Sequence, residues 1–185
     1  ATQAMLLALA LWRRPANAAA NRVLSAWTGL VGVDLAVKAV HLAAGDDRWS
    51  LAYAVVSLFP FLHASLFYVY VRALTTGSRL RLRDLLHSAG VALGLAGGWP
   101  RLAGNAGWEG PGAWFTLFLF GYALAYVAAA LVRIARFRQE LRARRADADR
   151  QSLQWLGAMA FSQALIWCIA ALREIAHIPF VDYHL

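Results

Sequence analysis

Hydrophobic positions along this chain fall in blocks, and the short stretches between them hold nearly all of the Arg, Asp and Glu. A hydrocarbon core of about 30 Å takes roughly 20 helical residues to cross. Five blocks meet that length, at residues 26–44, 51–71, 85–102, 114–132 and 153–172. A sixth, at 2–12, is shorter and apolar from the start up to Trp12, with Arg13, Arg14 and Pro15 behind it. A cleavable signal peptide carries its basic residues ahead of the apolar run, so this block is expected to be the end of a truncated first span. The pattern predicts an all-α fold. It is a polytopic transmembrane helical bundle occupying residues 1–185, with a basic cytoplasmic linker at 133–150 and a seventh helix expected beyond Leu185.

Composition strengthens that picture. With 61% hydrophobic and 15% charged residues, the chain has too little polar surface to cover a soluble core of this size. Charge then orients the bundle, because Lys and Arg near span ends stay on the cytoplasmic side. The loops after the first, third and fifth spans carry fourteen Arg against four acids, and the alternate loops carry three Arg against five acids. The alternation places the N-terminus outside and the basic loops in the cytoplasm, in a bacterial inner membrane. Trp12, Trp27, Trp49, Trp99, Trp108, Trp114 and Trp155 are expected at span ends as interfacial anchors, and Trp167 inside a span. The net charge of +8 lies in juxtamembrane Arg, so anionic lipid is the expected partner of Arg133, Arg136, Arg138, Arg142, Arg144 and Arg145 rather than nucleic acid.

Within the spans the costly residues are Asp34 and Lys38. An acid one turn ahead of a base is the favourable order on a helix, and pairing offsets the roughly 2.5–3.5 kcal/mol that insertion assigns to each charge at the bilayer centre. His41 follows on nearly the same face. Two roles fit the pair, a sensing site or a self-neutralised lock on helix packing. Pro60 and His63 predict a kinked third span, either lining a cavity with a freed carbonyl or packing with His63 hydrogen-bonded to a neighbouring helix. Gly90 and Gly94 have small-xxx-small spacing, which predicts close approach inside the bundle, with a homodimer contact as a lesser reading.

Enzyme chemistry finds no support in the pattern. The five His match neither helical zinc spacing, Cys168 stands alone, and no nucleophile triad, phosphate loop or carboxylate pair stands out. No catalytic residue, metal or cofactor is expected.

The run Pro60-Phe61-Leu62-His63-Ala64-Ser65-Leu66-Phe67-Tyr68-Val69-Tyr70-Val71-Arg72-Ala73-Leu74-Thr75, followed by Arg81-Leu82-Arg83-Asp84-Leu85-Leu86-His87, resembles the membrane domain of membrane-anchored AraC-type bacterial transcriptional regulators. In that family a P-L-x-Y-x-Y-V-R-x-L-T helix end leads into an R-x-x-D-L-x-H helix start. Ala20-Asn21-Arg22-Val23-Leu24 and Ser152-Leu153-Gln154-Trp155-Leu156 fit the same pattern, whereas Ser88-Ala89-Gly90 stands where the family has a second Pro. The resemblance implies a seven-helix sensory input domain followed by a cytoplasmic helix-turn-helix domain, outside this chain, through which DNA would be bound. Asp34, Lys38, His41, Pro60 and His63 are then the candidate sensing and coupling residues. The competing classes are the membrane portion of a sensor kinase and a small transporter-like membrane protein.

Overall fold

The computed structural model describes residues 1–44, 47–77, 80–102, 113–144 and 150–175, and among them every regular element is helical. Seven α-helices follow in order: α1 (Thr2–Arg13), α2 (Ala18–Ala44), α3 (Ser50–Val56), α4 (Pro60–Thr76), α5 (Ala89–Leu102), α6 (Ala113–Arg144) and α7 (Arg150–Ile175). Two 3-10 turns, Asp47–Trp49 and Leu82–Ser88, lead into α3 and α5.

Three helical stretches among the described residues are long and apolar enough to cross a membrane: Ala18–Ala44, Leu117–Glu140 and Trp155–Arg173. The expectation of five complete spans is not met. The block at 51–71 is divided, because Pro60 has no N–H to continue the ladder and takes the first position of a new helix. The kink expected at Pro60 is thus a full break. The Val56 carbonyl, which Pro60 cannot bond, is taken by the Phe59 N–H at 2.9 Å, while the Phe61 N–H turns to the Leu58 carbonyl and passes over that of Ser57. The block at 85–102 opens as a 3-10 turn, leaving α5 with 14 residues, about 21 Å at 1.5 Å per residue. Elsewhere the helices outrun their apolar blocks. α2 begins at Ala18 rather than 26, and α6 runs through most of the expected linker to Arg144. Lipid hydropathy ends where the arginines begin, but Arg and Ala are good helix formers and continue the backbone regardless.

The helix packing fixes directions. Ser25 Oγ donates to the Ala8 carbonyl at 2.6 Å and the Arg22 guanidinium lies over the Trp12 ring, so α1 and α2 run antiparallel. Trp27 meets both His63 and Phe67 across the α2–α4 contact. α4 and α6 are parallel, because Phe61 meets Phe115, Tyr68 meets Tyr126, and Thr75 meets Arg133 in step along both helices. α6 and α7 are antiparallel, with Phe120 against Trp167 near one end and Arg138 against Gly157 near the other. One end of the bundle therefore gathers Arg22, Arg72 and Arg133.

Two parallel neighbours need a return path between them, and α5 supplies it. A Cβ added at Gly90 would lie 2.7 Å from the Tyr122 ring, one at Gly94 2.9 Å from Phe61, and one at Gly97 2.6 Å from Phe115. The expected close approach thus occurs within the chain, where the glycines let α5 lie against an aromatic wall on α4 and α6. Gly90 and Gly94 thus both face neighbours within the chain.

The core follows α4. Phe67 and Val71 are fully enclosed, and Phe61, Ala64, Ser65, Val69, Tyr70 and Ala73 are buried with them. The outer faces are apolar instead of polar: Leu42 is 72% and Leu172 64% exposed, an inverted surface suited to lipid. Trp12, Trp49, Trp99 and Trp155 are exposed, and Trp167 is buried. Trp27 departs from expectation. With α2 starting earlier, it lies nine residues inside the helix and faces α4. Trp108 lies outside the described residues.

Phe67→Ala is expected to cost about 3–5 kcal/mol through cavity formation, whereas Leu172→Ala stays within about 0.5 kcal/mol. Reversible unfolding in mixed micelles measures both.

Candidate functional site

The sequence-predicted polar residues of α2 and α4 do come near one another. Lys38 Nζ lies 2.9 Å from Asp34 Oδ2 on the same face of α2, the i, i+4 pair that the spacing predicts. The carboxylate is the better enclosed partner, 15% exposed against 40% for Lys38. His63 is within electrostatic reach of both charges. Its own bond is to Trp27, whose Nε1–H donates to His63 Nδ1 at 2.8 Å. An indole is only a donor, so Nδ1 must be an unprotonated acceptor and the ring proton sits on Nε2. His63 is thus hydrogen-bonded to a neighbouring helix, the packing alternative for that residue. His41 does not join the pair; it lies against Tyr53 of α3 with ring centroids 4.7 Å apart. Pro60 opens α4 and makes its contribution through the backbone.

A second and more connected cluster lies at the arginine-rich end. Gly77 closes α4 in a left-handed conformation, φ 59°, with its N–H on the Ala73 carbonyl. The chain then turns back and Asp84, at the third position of the 3-10 turn, accepts the Arg81 N–H at 2.8 Å. The same oxygen, Oδ2, takes an ion pair from Arg72 Nη2, one turn before the end of α4. Burial pushes the Asp84 carboxyl up, but the bonds from Arg72 and the Arg81 amide outweigh it and hold the group below its ordinary value. Asp84 Oδ1 and Arg72 Nε remain buried without a hydrogen-bond partner.

α6 closes this cluster from both sides. Arg133 Nε donates to Thr75 Oγ1 at 3.0 Å, and Thr75 Oγ1 donates in turn to the Arg72 carbonyl at 3.3 Å. One turn of chain beyond Asp84, His87 Nδ1 is 3.0 Å from the Tyr126 hydroxyl, and the Tyr122 hydroxyl donates to the His87 carbonyl at 2.9 Å. The His87 ring also meets Tyr68 edge-on, with centroids 5.2 Å apart. Ion pair, hydroxyl bonds and ring contacts therefore join α4, the 82–88 turn and α6 into one unit.

Hydropathy does not single out these residues, since Arg72 and Asp84 look like ordinary loop charges and Tyr68, Tyr122 and Tyr126 like filler. Tyr68, Arg72, Asp84 and His87 are among the polar and aromatic positions of the two stretches that resemble the regulator family, whereas Tyr122 and Tyr126 lie outside both.

The arginines expected to meet lipid divide by role. Arg133 is turned inward to Thr75, and Arg138 lies across Gly157 of α7. Arg136 is exposed and lines an open groove of about 440 Å³ with Arg133, Thr76 and Glu140. Arg142 and Arg144 continue the backbone of α6, and Arg145 lies outside the described residues. No group of three or more His, Cys, Asp or Glu that could hold a metal occurs among the described residues.

Asp34→Leu strands Lys38 and is expected to lower the unfolding midpoint more than the double variant Asp34→Leu/Lys38→Leu, because an unmatched charge costs more than an apolar replacement of the pair. Thermal unfolding in nanodiscs ranks the two. Comparison with known protein families, with curated proteins and with solved structures gives no match for this chain.

Proposed function

We propose that this chain is the membrane-embedded sensory input domain of a bacterial transcriptional regulator. Its basic end faces the cytoplasm, and it relays a stimulus to a helix-turn-helix DNA-binding domain encoded beyond Leu185. The observation that carries the reading is the meeting of the two resemblance-bearing stretches in one ionic and aromatic unit. Spaced along the chain, such residues are generic; assembled around Arg72–Asp84, they tie three segments together at the end of the bundle where an output would be driven.

Orientation follows from charge. The arginines collected at that end are retained on the cytoplasmic side of an inner membrane, where Arg136 is placed to meet anionic headgroups. Residues 50–76 and 89–102 act as broken and short crossings between the three long helices, which the parallel course of α4 and α6 favours. A packing shift in α2 or α4 would move Arg72, and through Thr75 and Arg133 it would move α6. A ligand or lipid change that binds one packing better than the other shifts the population by that difference in affinity.

The coding sequence beyond Leu185 is expected to add an apolar helix and then about 100 polar residues with two helix-turn-helix patterns. In the complete protein, Arg72→Ala is expected to change reporter transcription at least several-fold while membrane insertion is unchanged. A kinase dimerisation helix with a phosphorylatable His, or an immediate stop codon, contradicts the reading.

A further inference from the structure

α6 outlasts the helix it packs against. Arg133 stands beside Thr75 at the close of α4, and the backbone of α6 then stays helical from Ile134 to Arg144, about 16 Å further at 1.5 Å per residue. The corner between the end of α4 and this overhang is the groove of about 440 Å³ at the arginine-rich end. Its lining changes character along α6. Ala129 and Val132, both exposed, face it on the side nearer the middle of the bundle, and Arg133, Arg136 and Glu140 follow toward the end. An apolar stretch followed by arginines is the order in which a phospholipid presents its acyl chain and then its phosphate.

The two arginines have donors to spare. Arg133 is half-buried and commits Nε to Thr75, which leaves its Nη groups. Arg136 is exposed and lies three positions on, so both side chains reach the same groove. Among the described residues, neither is paired with a carboxylate. A guanidinium grips phosphate oxygens through two parallel N–H bonds. Glu140 limits the charge of what enters, because two guanidinium groups against one carboxylate leave a single positive charge along the lining. A headgroup with one net negative charge matches it. A zwitterionic headgroup brings a cation of its own to the arginines, and free phosphate has no chain to set against Ala129 and Val132.

We infer that this groove binds an anionic phospholipid of one net negative charge, with its phosphate held by Arg133 and Arg136 and its acyl chain along Val132. Arg133 also holds Thr75, so an occupant fastens α6 to α4, and lipid composition sets the firmness of that contact. The site rests on the placement of the basic end among lipid headgroups and not on the output domain, so its failure leaves the reading of the coding sequence beyond Leu185 untouched.

Thermal unfolding of the full chain in nanodiscs reads the site, because a ligand bound by the folded form alone raises the midpoint. Phosphatidylglycerol mixed into phosphatidylcholine is expected to raise it by about 3 °C or more. The same share of phosphatidylethanolamine, or inorganic phosphate added to phosphatidylcholine nanodiscs, is expected to leave it unchanged. Arg136→Gln is expected to lose most of the phosphatidylglycerol shift while keeping the midpoint in phosphatidylcholine; Arg136→Lys, which keeps the charge without the fork, serves where the first variant does not fold and is expected to lose at least half. Arg14→Gln removes an exposed arginine outside the groove and is expected to keep the shift. Four results overturn the inference. These are no shift with phosphatidylglycerol, an equal shift with phosphatidylethanolamine or inorganic phosphate, a shift retained by the Arg136 variants, and an equal loss in Arg14→Gln, which identifies diffuse surface charge.

Discussion

The ion pair between Arg72 and Asp84 decides how the middle of this bundle is arranged. α4 is capped at Gly77, and Asp84 pairs with Arg72, one turn back from that end, while its own turn is closed by the Arg81 amide. With the 82–88 turn anchored there, α5 must start beside Tyr122 and run back along α4, and its glycines let it lie close enough to do so. The parallel placement of α4 and α6 depends on that return. So does the burial of α4, which is enclosed by α2 on one side and α6 on the other.

The surroundings explain why so few interactions carry so much. Helices whose outer faces are apolar gain little from burying more apolar surface against one another in lipid, and association falls to close packing and to polar bonds between them. Each contact has one of these forms. α1 is held to α2 by Ser25 on a carbonyl, α2 to α4 by Trp27 on His63, and α6 to α4 by Arg133 on Thr75. The Asp34–Lys38 pair is different in kind, because it lies within one helix, with Lys38 on Asp34 Oδ2 and Oδ1 left buried without a donor. It makes α2 tolerable in lipid without specifying a neighbour, while the bond at His63 specifies one.

Much of the architecture was legible in the sequence, and the remainder had physical reasons to be hidden. Apolar blocks predict helices because lipid and helix both demand them, and the i, i+4 spacing of Asp34 and Lys38 predicts their pairing. Helix ends were less legible: the arginines after Val132 stop a hydropathy window but not a backbone, so α6 continues to Arg144. Pro60 marked a disturbance, but whether it kinks a helix or starts one depends on how the residues before it turn. Trp27 had the sequence appearance of an interfacial anchor because α2 appeared to start near it. The Arg72–Asp84 pair and the His87 contacts join residues on different segments, which no local periodicity can report. Arg72, Asp84 and His87 lie within the family-like stretches, but nothing in those stretches indicated that they would meet.

A double-mutant cycle on Arg72→Ala and Asp84→Ala, read by reversible unfolding in micelles, measures how strongly the two side chains hold each other. Two side chains that hold each other are coupled, so the double variant is expected to cost less than the two single variants together, by about 1–3 kcal/mol. Strictly additive costs would mean that the two residues act independently and that something else sets the course of α5 between α4 and α6.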